Sequence, residues 1–271
     1  MSEEITATLV KELRQRTGVG MMDCKKALIK ANGNINIAID DMRKAGKAKA
    51  AKKATRIATE GIIILKVSMD KKIAVLLELN CETDFVAKSS IFFEFANEIL
   101  TFVIENNVFN INELKIKFEE RREEIITKIG ENIKISRIKI LKGEKIGSYL
   151  HSFRIGVLVS ASESADETIL KHIAIHIAAS KPEYLTPLDV PTDLISHERK
   201  IQLEIAMKSG KPFNIVEKMV TGRIKKFLQE ISLTGQQFVM DPTKNVGLVL
   251  KEKKINVFDF VRIELGESDI I

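Results

Sequence analysis

Apolar residues recur at helical spacing through the first fifty positions, give way to short continuous runs in the middle of the chain, and return to helical spacing near residue 190. Ile5, Leu9 and Leu13 mark one face of a first helix, which Thr17-Gly-Val-Gly20 interrupts. Met22 to Ala31 reads as a second short helix closed by Asn32-Gly33, and Asn34 caps a third that carries Ile35, Ala38, Ile39 and Met42. Ile62–Ser68 and Ile73–Leu79 are apolar runs separated by Met69-Asp-Lys-Lys72, a hairpin signal. Thr83 is a natural N-cap, and Phe92, Phe95, Ile99 and Val103 carry a helix onward from it to about Glu105. Glu113 to Ile129 reads as another helix ending at Gly130. Ile135–Leu141, Gly147–Phe153 and Ile155–Ala161 read as strands, and Thr168–Ser180 as a helix stopped by Lys181-Pro182.

From Asp193 to Ser232 the pattern predicts an antiparallel helical hairpin: Leu194, Ile195, Ile201, Leu203 and Ile205, a break at Ser209-Gly210, then Ile215, Met219, Ile224, Phe227 and Leu228 after Pro212. Leu233 to Pro242 reads as a loop with a strand-like core, and Val257–Leu265 as a last strand returning to the second sheet. A weak repeat at an offset of 82 places Ile73-Ala-Val-Leu-Leu on Ile155-Gly-Val-Leu-Val, Asp84 on Asp166 and Phe85 on Glu167. The expected fold is α+β. A three-helix bundle of ubiquitin-associated type (1–55) precedes two related halves (56–142 and 143–271). Each half is an antiparallel sheet with helices, and the second carries the hairpin at about 191–232.

Phe85 is the odd residue in this pattern, because the first turn of a helix seldom needs a large outward-facing aromatic. If the repeat holds, the fold does not require one there, since Glu167 stands at its counterpart. Asp84 beside it has two readings: a helix-dipole partner at an N-terminus, or a carboxylate aimed at something else.

The chain has 271 residues, enough for a sizeable core, and is 45% hydrophobic and 30% charged, the composition of ordinary globular material. Its net charge of +6 favours an acidic partner without choosing between nucleic acid and protein. Met1-Ser-Glu-Glu-Ile-Thr does not have the pattern of a signal peptide, and no stretch has the apolar length of a membrane span, so a cytoplasmic location is expected. Cys24 and Cys81 lack metal-ligand spacing and read as reduced thiols rather than a disulfide.

Catalytic motifs are scarce. There is no Gly-x-x-x-x-Gly-Lys-Ser/Thr and no Gly-x-Ser-x-Gly. His172 and His176 have metal-compatible spacing but lack the Glu of His-Glu-x-x-His, and read as packed, hydrogen-bonded histidines. Arg43 to Arg56 holds seven Lys or Arg and no acid. It is either a solvated helix extension or linker, or a strip that steers an acidic partner. With no aromatics interleaved, it does not read as a nucleic-acid surface. Met21 and Met22 cannot both face the bundle interior; one reading puts one of them in the core and the other on an adaptable contact surface.

Six segments, in order along the chain, resemble the bacterial elongation factor Ts family. They are Thr17-Gly-Val-Gly-Met-Met-Asp-Cys-Lys-Lys-Ala-Leu28, Thr83-Asp-Phe-Val-Ala-Lys88, Lys128-Ile-Gly-Glu-Asn-Ile133, Arg154-Ile-Gly-Val-Leu158, His172-Ile-Ala-Ile-His-Ile-Ala-Ala-Ser-Lys-Pro-Glu183 and Leu233-Thr-Gly-Gln-Gln-Phe-Val-Met240. The resemblance implies a guanine nucleotide exchange factor for elongation factor Tu, not an enzyme. It would need no cofactor or metal of its own and bind neither nucleic acid nor membrane. Thr83, Asp84, Phe85 and Val86 match the family segment that dislodges Mg²⁺ from the partner's nucleotide site, with Phe85 as the wedge. Lys25, Ile129, Gly130, His151, Val239 and Met240 match further positions at the family's partner interface, and Met21 and Met22 are expected contact residues beside Lys25. The hairpin resembles the family's protruding coiled coil, whose contacts include self-association. The chain ends at Glu264-Leu-Gly-Glu-Ser-Asp-Ile-Ile271, where longer members continue into a C-terminal helical module, so the resemblance does not fix how large the interface is.

Overall fold

The structure is a computed structural model and describes residues 5–267; residues 268–271 of the C-terminal segment discussed above lie outside that range. The chain divides into two compact units. The first comprises residues up to Ile64, Leu77–Ile138 and the residues from Leu265; the second comprises Leu65–Leu76 and Lys139–Glu264.

Three helices, α1 (Ala7–Thr17), α2 (Met21–Lys30) and α3 (Ile35–Lys53), open the first unit. The Thr6 hydroxyl accepts from Leu9 N and the Asn34 side chain from Ile37 N, so both outer helices start on the caps their sequences offer. Gly18, at φ 69°, closes α1 in the left-handed conformation. Leu13, Cys24, Leu28 and Ala38 fill the bundle core without exposure. The basic stretch is a helix extension, since α3 runs on to Lys53. Of its small residues Gly46 and Ala50 are buried, and a Cβ on Gly46 would lie 2.7 Å from Thr127 Oγ1 on α7 (Glu119–Ile129).

Two three-stranded sheets and a short two-stranded one are formed by the described strands. The first has the order β1 (Glu60–Val67), β2 (Ile73–Cys81), β3 (Lys134–Lys142), and the second β4 (Lys145–His151), β5 (Ile155–Ala161), β8 (Val257–Glu264). β5 pairs antiparallel with both neighbours, so the last strand does return to the second sheet. Each central strand leads into a capped helix, and a later strand completes each sheet. β2 and β5 read as continuous apolar runs because almost every residue in them is buried.

The two halves differ just after the central strand. In the second, α8 (Glu167–Ser180) runs unbroken from its N-cap Asp166, whose carboxylate accepts from Thr168 N and Ile169 N. In the first, the expected long helix is two: α4 (Asp84–Ala87), then α5 (Ser90–Asn106). The break falls at Ser89, extended at φ −76° and ψ 144°, whose hydroxyl donates to Val86 O. The caps Thr83 and Asp166 stand 83 residues apart, one more than the strand repeat. The structural counterpart of Phe85 is therefore Thr168 rather than Glu167, and it too is not aromatic. The helix expected over 113–129 is likewise two, α6 (Ile111–Lys117) and α7, parted at Phe118, whose ring meets Phe95 and Phe102 edge-on.

In the second unit α9 (Thr192–Met207) and α10 (Phe213–Ile231) form the hairpin, closed on Ala206, Val216, Val220 and Ile224. A 3-10 turn (Leu233–Gly235) and the short pair β6 (Gln237–Phe238) and β7 (Asp241–Asn245) follow. A helix the sequence reading passed over, α11 (Val246–Glu252), is capped by Asn245 and buries Val246, Val249 and Leu250.

Candidate functional site

The segment from Cys81 to Ser89 is a one-turn helix on a tightly satisfied backbone. Thr83 is extended (φ −128°, ψ 156°) and its hydroxyl accepts from Val86 N at 3.4 Å, so Thr83, and not Asp84, is the cap. Val86 and Ala87 turn inward and are buried. Phe85, between them and the cap, is 82% exposed. An aromatic ring so far out of the core buries little of its apolar area, so its position contributes little to folding.

Asp84 is also exposed, and its carboxylate meets Lys88 Nζ at 2.7 Å, one turn on. The hydrogen bond from Lys88 holds the Asp84 carboxyl below the usual carboxylate range. Beneath the turn, the Cys81 thiol donates to Thr83 O at 3.1 Å; burial, helped by the Glu131 carboxylate, pushes it up to about 12. The buried thiol therefore remains protonated and acts as a donor. Both cysteines are free and buried.

The turn is gripped from outside its own stretch of chain. Glu131 Oε2 accepts from Glu82 N (3.1 Å) and Thr83 N (2.9 Å), and Glu131 Oε1 accepts from Thr83 Oγ1 (2.7 Å). In return, Glu82 Oε1 accepts from Asn132 N at 2.7 Å. Buried Asn132 donates to Arg56 O at 2.9 Å, and Lys53 donates to Gly130 O. Gly130, at φ 89°, ends α7 in the left-handed conformation and aims the next two residues at the turn. Ile129 and Gly130, both half-buried, thus adjoin the residues that grip Thr83. Glu131 and Asn132 were not singled out from sequence, although both stand in the Lys128–Ile133 segment.

Met21, Met22 and Lys25 lie on the outer side of α2, opposite Cys24 and Leu28. Neither methionine is in the core: they are 44% and 65% exposed, and Cys24 takes the interior position. The remaining expected site residues belong to the second unit. His151 ends β4, exposed, with Nδ1 3.0 Å from Tyr149 Oη. Val239 and Met240 sit exposed between β6 and β7. The buried ring of His176 fixes that segment. Val239 N donates to His176 Nδ1 at 3.2 Å, so Nδ1 is bare and Nε2 carries the proton that Gln236 Oε1 accepts at 3.0 Å. Gln236 Nε2 donates to Ser180 O and Glu230 O, which fixes its amide orientation. Burial, opposed by the Gln236 hydrogen bond, pulls the His176 pKa below 6.5.

Among the described residues no group of three or more His, Cys, Asp or Glu could hold a metal ion, and no helix is long and apolar enough to cross a membrane. What these residues present are exposed apolar side chains at three places: Phe85 on its turn, Met21 and Met22 on α2, and Val239 with Met240.

Comparison with known proteins puts the chain among the translation elongation factors. Residues 82–267 match the family described as Elongation factor TS. The Elongation factor Ts of Photorhabdus laumondii is 60% identical over 264 residues, covering 97% of this chain and 93% of that protein. Those of Yersinia pestis (strain Pestoides F) and Yersinia pseudotuberculosis are 59% identical over 97% of this chain and 92% of theirs. The chain belongs to the elongation factor Ts family.

Proposed function

We propose that this chain binds elongation factor Tu carrying GDP and speeds release of the nucleotide, with the Thr83–Val86 turn entering the partner's Mg²⁺ region. The observation that carries this reading is Phe85: an 82% exposed aromatic held on a turn whose backbone is pinned at both ends. A GTPase holds GDP through phosphate contacts and a bridging Mg²⁺, the largest local charge in such a site. A side chain that parts the residues around that metal weakens what remains. By linkage, a protein that binds the nucleotide-free form more tightly must lower nucleotide affinity by the same factor. No covalent bond changes, so the chain is an exchange factor and not an enzyme.

The remaining residues take supporting parts. Val86 is buried and anchors the turn from within. Met21, Met22 and Lys25 on α2, Ile129 and Gly130 beside the turn, and His151, Val239 and Met240 in the second unit supply the rest of the contact. The exposed lysines of α3 steer approach, which makes association salt-dependent. The place of action is the cytoplasm, and nucleic acid is not a partner.

Release of a fluorescent GDP analogue from elongation factor Tu, followed by stopped flow, tests the reading. Phe85→Ala is expected to slow release by roughly tenfold or more, the scale of an interface anchor worth ~2 kcal/mol, with folding unchanged. A normally folded variant releasing GDP at the wild-type rate overturns it. Steep salt-dependent binding to RNA or DNA that ignores Phe85 would point to a nucleic-acid protein instead.

A further inference from the structure

We propose that Glu131 is a positioning residue for nucleotide exchange: its carboxylate sets the backbone from which Phe85 projects, although it sits 46 residues further along the chain and has no place in the wedge itself. The inference rests on the reading of Phe85 given above and adds the device that makes it work.

The geometry needs a carboxylate. Three donors converge on Glu131, two at Oε2 and one at Oε1, and an ionised carboxylate offers two oxygens with no hydrogen of its own. An amide of the same shape would turn an NH₂ toward at least one donor. The contact at Oε1 does a second thing. By drawing the Thr83 hydroxyl proton toward itself, Glu131 leaves the Thr83 oxygen to face Val86 N–H as an acceptor. The cap that starts the helical turn is thus oriented by a residue from another segment. Phe85 is flanked by the two groups so fixed, the Thr83 backbone and the Val86 amide.

The grip is reciprocal. The Glu131 side chain holds the backbone of 82 and 83, and the Glu82 side chain holds the backbone of 132 at 2.7 Å. Asn132 extends the grip to the end of α3 through Arg56 O and Ala54 O. A one-turn helix is not stable on its own hydrogen bonds, because nucleation fixes several residues for a single bond. Without the outside clamp Phe85 would sample many directions, and the ordering would have to be supplied at the moment of docking.

The test uses the full chain and elongation factor Tu, with four proteins: wild type, Glu131→Gln, Phe85→Ala and the double variant. Glu131→Gln is expected to slow GDP release roughly tenfold and to add little to the slowing already present in Phe85→Ala. Such non-additivity is the mark of a residue acting through another. Amide hydrogen exchange at Glu82 and Thr83 is expected to accelerate in Glu131→Gln while the unfolding midpoint stays near wild type. Thr83→Val, which removes the hydroxyl and leaves the carboxylate, is the second route into the same contact should Glu131→Gln fold poorly, and is expected to slow release as well. If Glu131→Gln releases GDP at the wild-type rate while Phe85→Ala is slow, the positioning role is wrong and the wedge stands. If the two slowings multiply, Glu131 acts independently of Phe85 and the proposal fails. A wild-type rate for Phe85→Ala overturns both readings.

Discussion

The first unit presents Thr83–Val86 and the second presents Val239–Met240, and each exposed segment hangs on one side chain brought from elsewhere in its own unit. For the first the anchor is the Glu131 carboxylate, which accepts three hydrogen bonds. For the second it is the neutral ring of His176, which accepts from Val239 N and donates to Gln236. Both solve the same problem. An exposed apolar side chain gains nothing from folding, so the backbone beneath it needs partners that do not depend on that side chain. The anchors differ in what they can lose. A carboxylate in its charged form accepts only, whereas a neutral imidazole must be one acceptor and one donor, and a single proton destroys that pattern.

Removing the second anchor is the largest perturbation expected. His176 has no exposed surface, so His176→Ala leaves a void and deprives Val239 N and Gln236 Oε1 of their partner. The loss should be roughly 2–4 kcal/mol in urea unfolding. A loss below about 0.5 kcal/mol would mean that the ring is not what holds the segment.

Acidification attacks the same contact more gently and gives it a sign. Burial places the folded-state pKa of His176 below the ordinary 6.5. As pH falls below about 6.5 the unfolded chain takes up the proton first, so stability declines with falling pH and the contribution is gone once pH has passed the folded value. Protonated Nδ1 would also set an N–H against Val239 N–H. Hydrogen exchange at Val239, corrected for its intrinsic rate, should accelerate as pH falls from 7 through the folded-state value of His176, relative to Leu248, whose amide donates to the non-titrating Asn245 side chain at 2.7 Å. Equal protection of the two amides across that range would place His176 outside the titration.

The contrast also marks what the amino-acid sequence makes legible. Caps and stops are local, so Asn34, Thr83 and Gly130 could all be read from their neighbours, and each functions as read. The buried strands were legible because their apolar runs are long and bounded. α11 was readable too: Asn245 followed by Val246, Val249 and Leu250 is a cap and an apolar face, in a stretch to which the sequence reading assigns no element. The helix breaks were less visible. Ser89 is ambiguous inside an apolar-periodic run, and Phe118 leaves helical geometry while meeting Phe95 and Phe102 edge-on, which is a matter of tertiary packing. The anchors were the least accessible. Glu131 acts on residues 48 and 49 positions away, and His176 on one 60 positions away, so their types alone could not name their partners.

Asp84 gives the smallest expected effect on stability and sharpens the comparison most. Its two readings, cap or partner contact, are separable because Thr83 does the capping. What Asp84 has within the chain is an ion pair with Lys88, the two side chains being 51% and 76% exposed. Pairs that open to water are weakened by solvent and salt and contribute little to folding. Asp84→Asn should therefore leave the unfolding midpoint unchanged, and any change in GDP release must arise at the partner. On the proposed function the variant should release GDP severalfold more slowly, but less slowly than Phe85→Ala, since it keeps the wedge and loses only a charge near the partner's metal. An unchanged rate would remove Asp84 from the Mg²⁺-displacing set and leave Phe85 alone on its clamped turn.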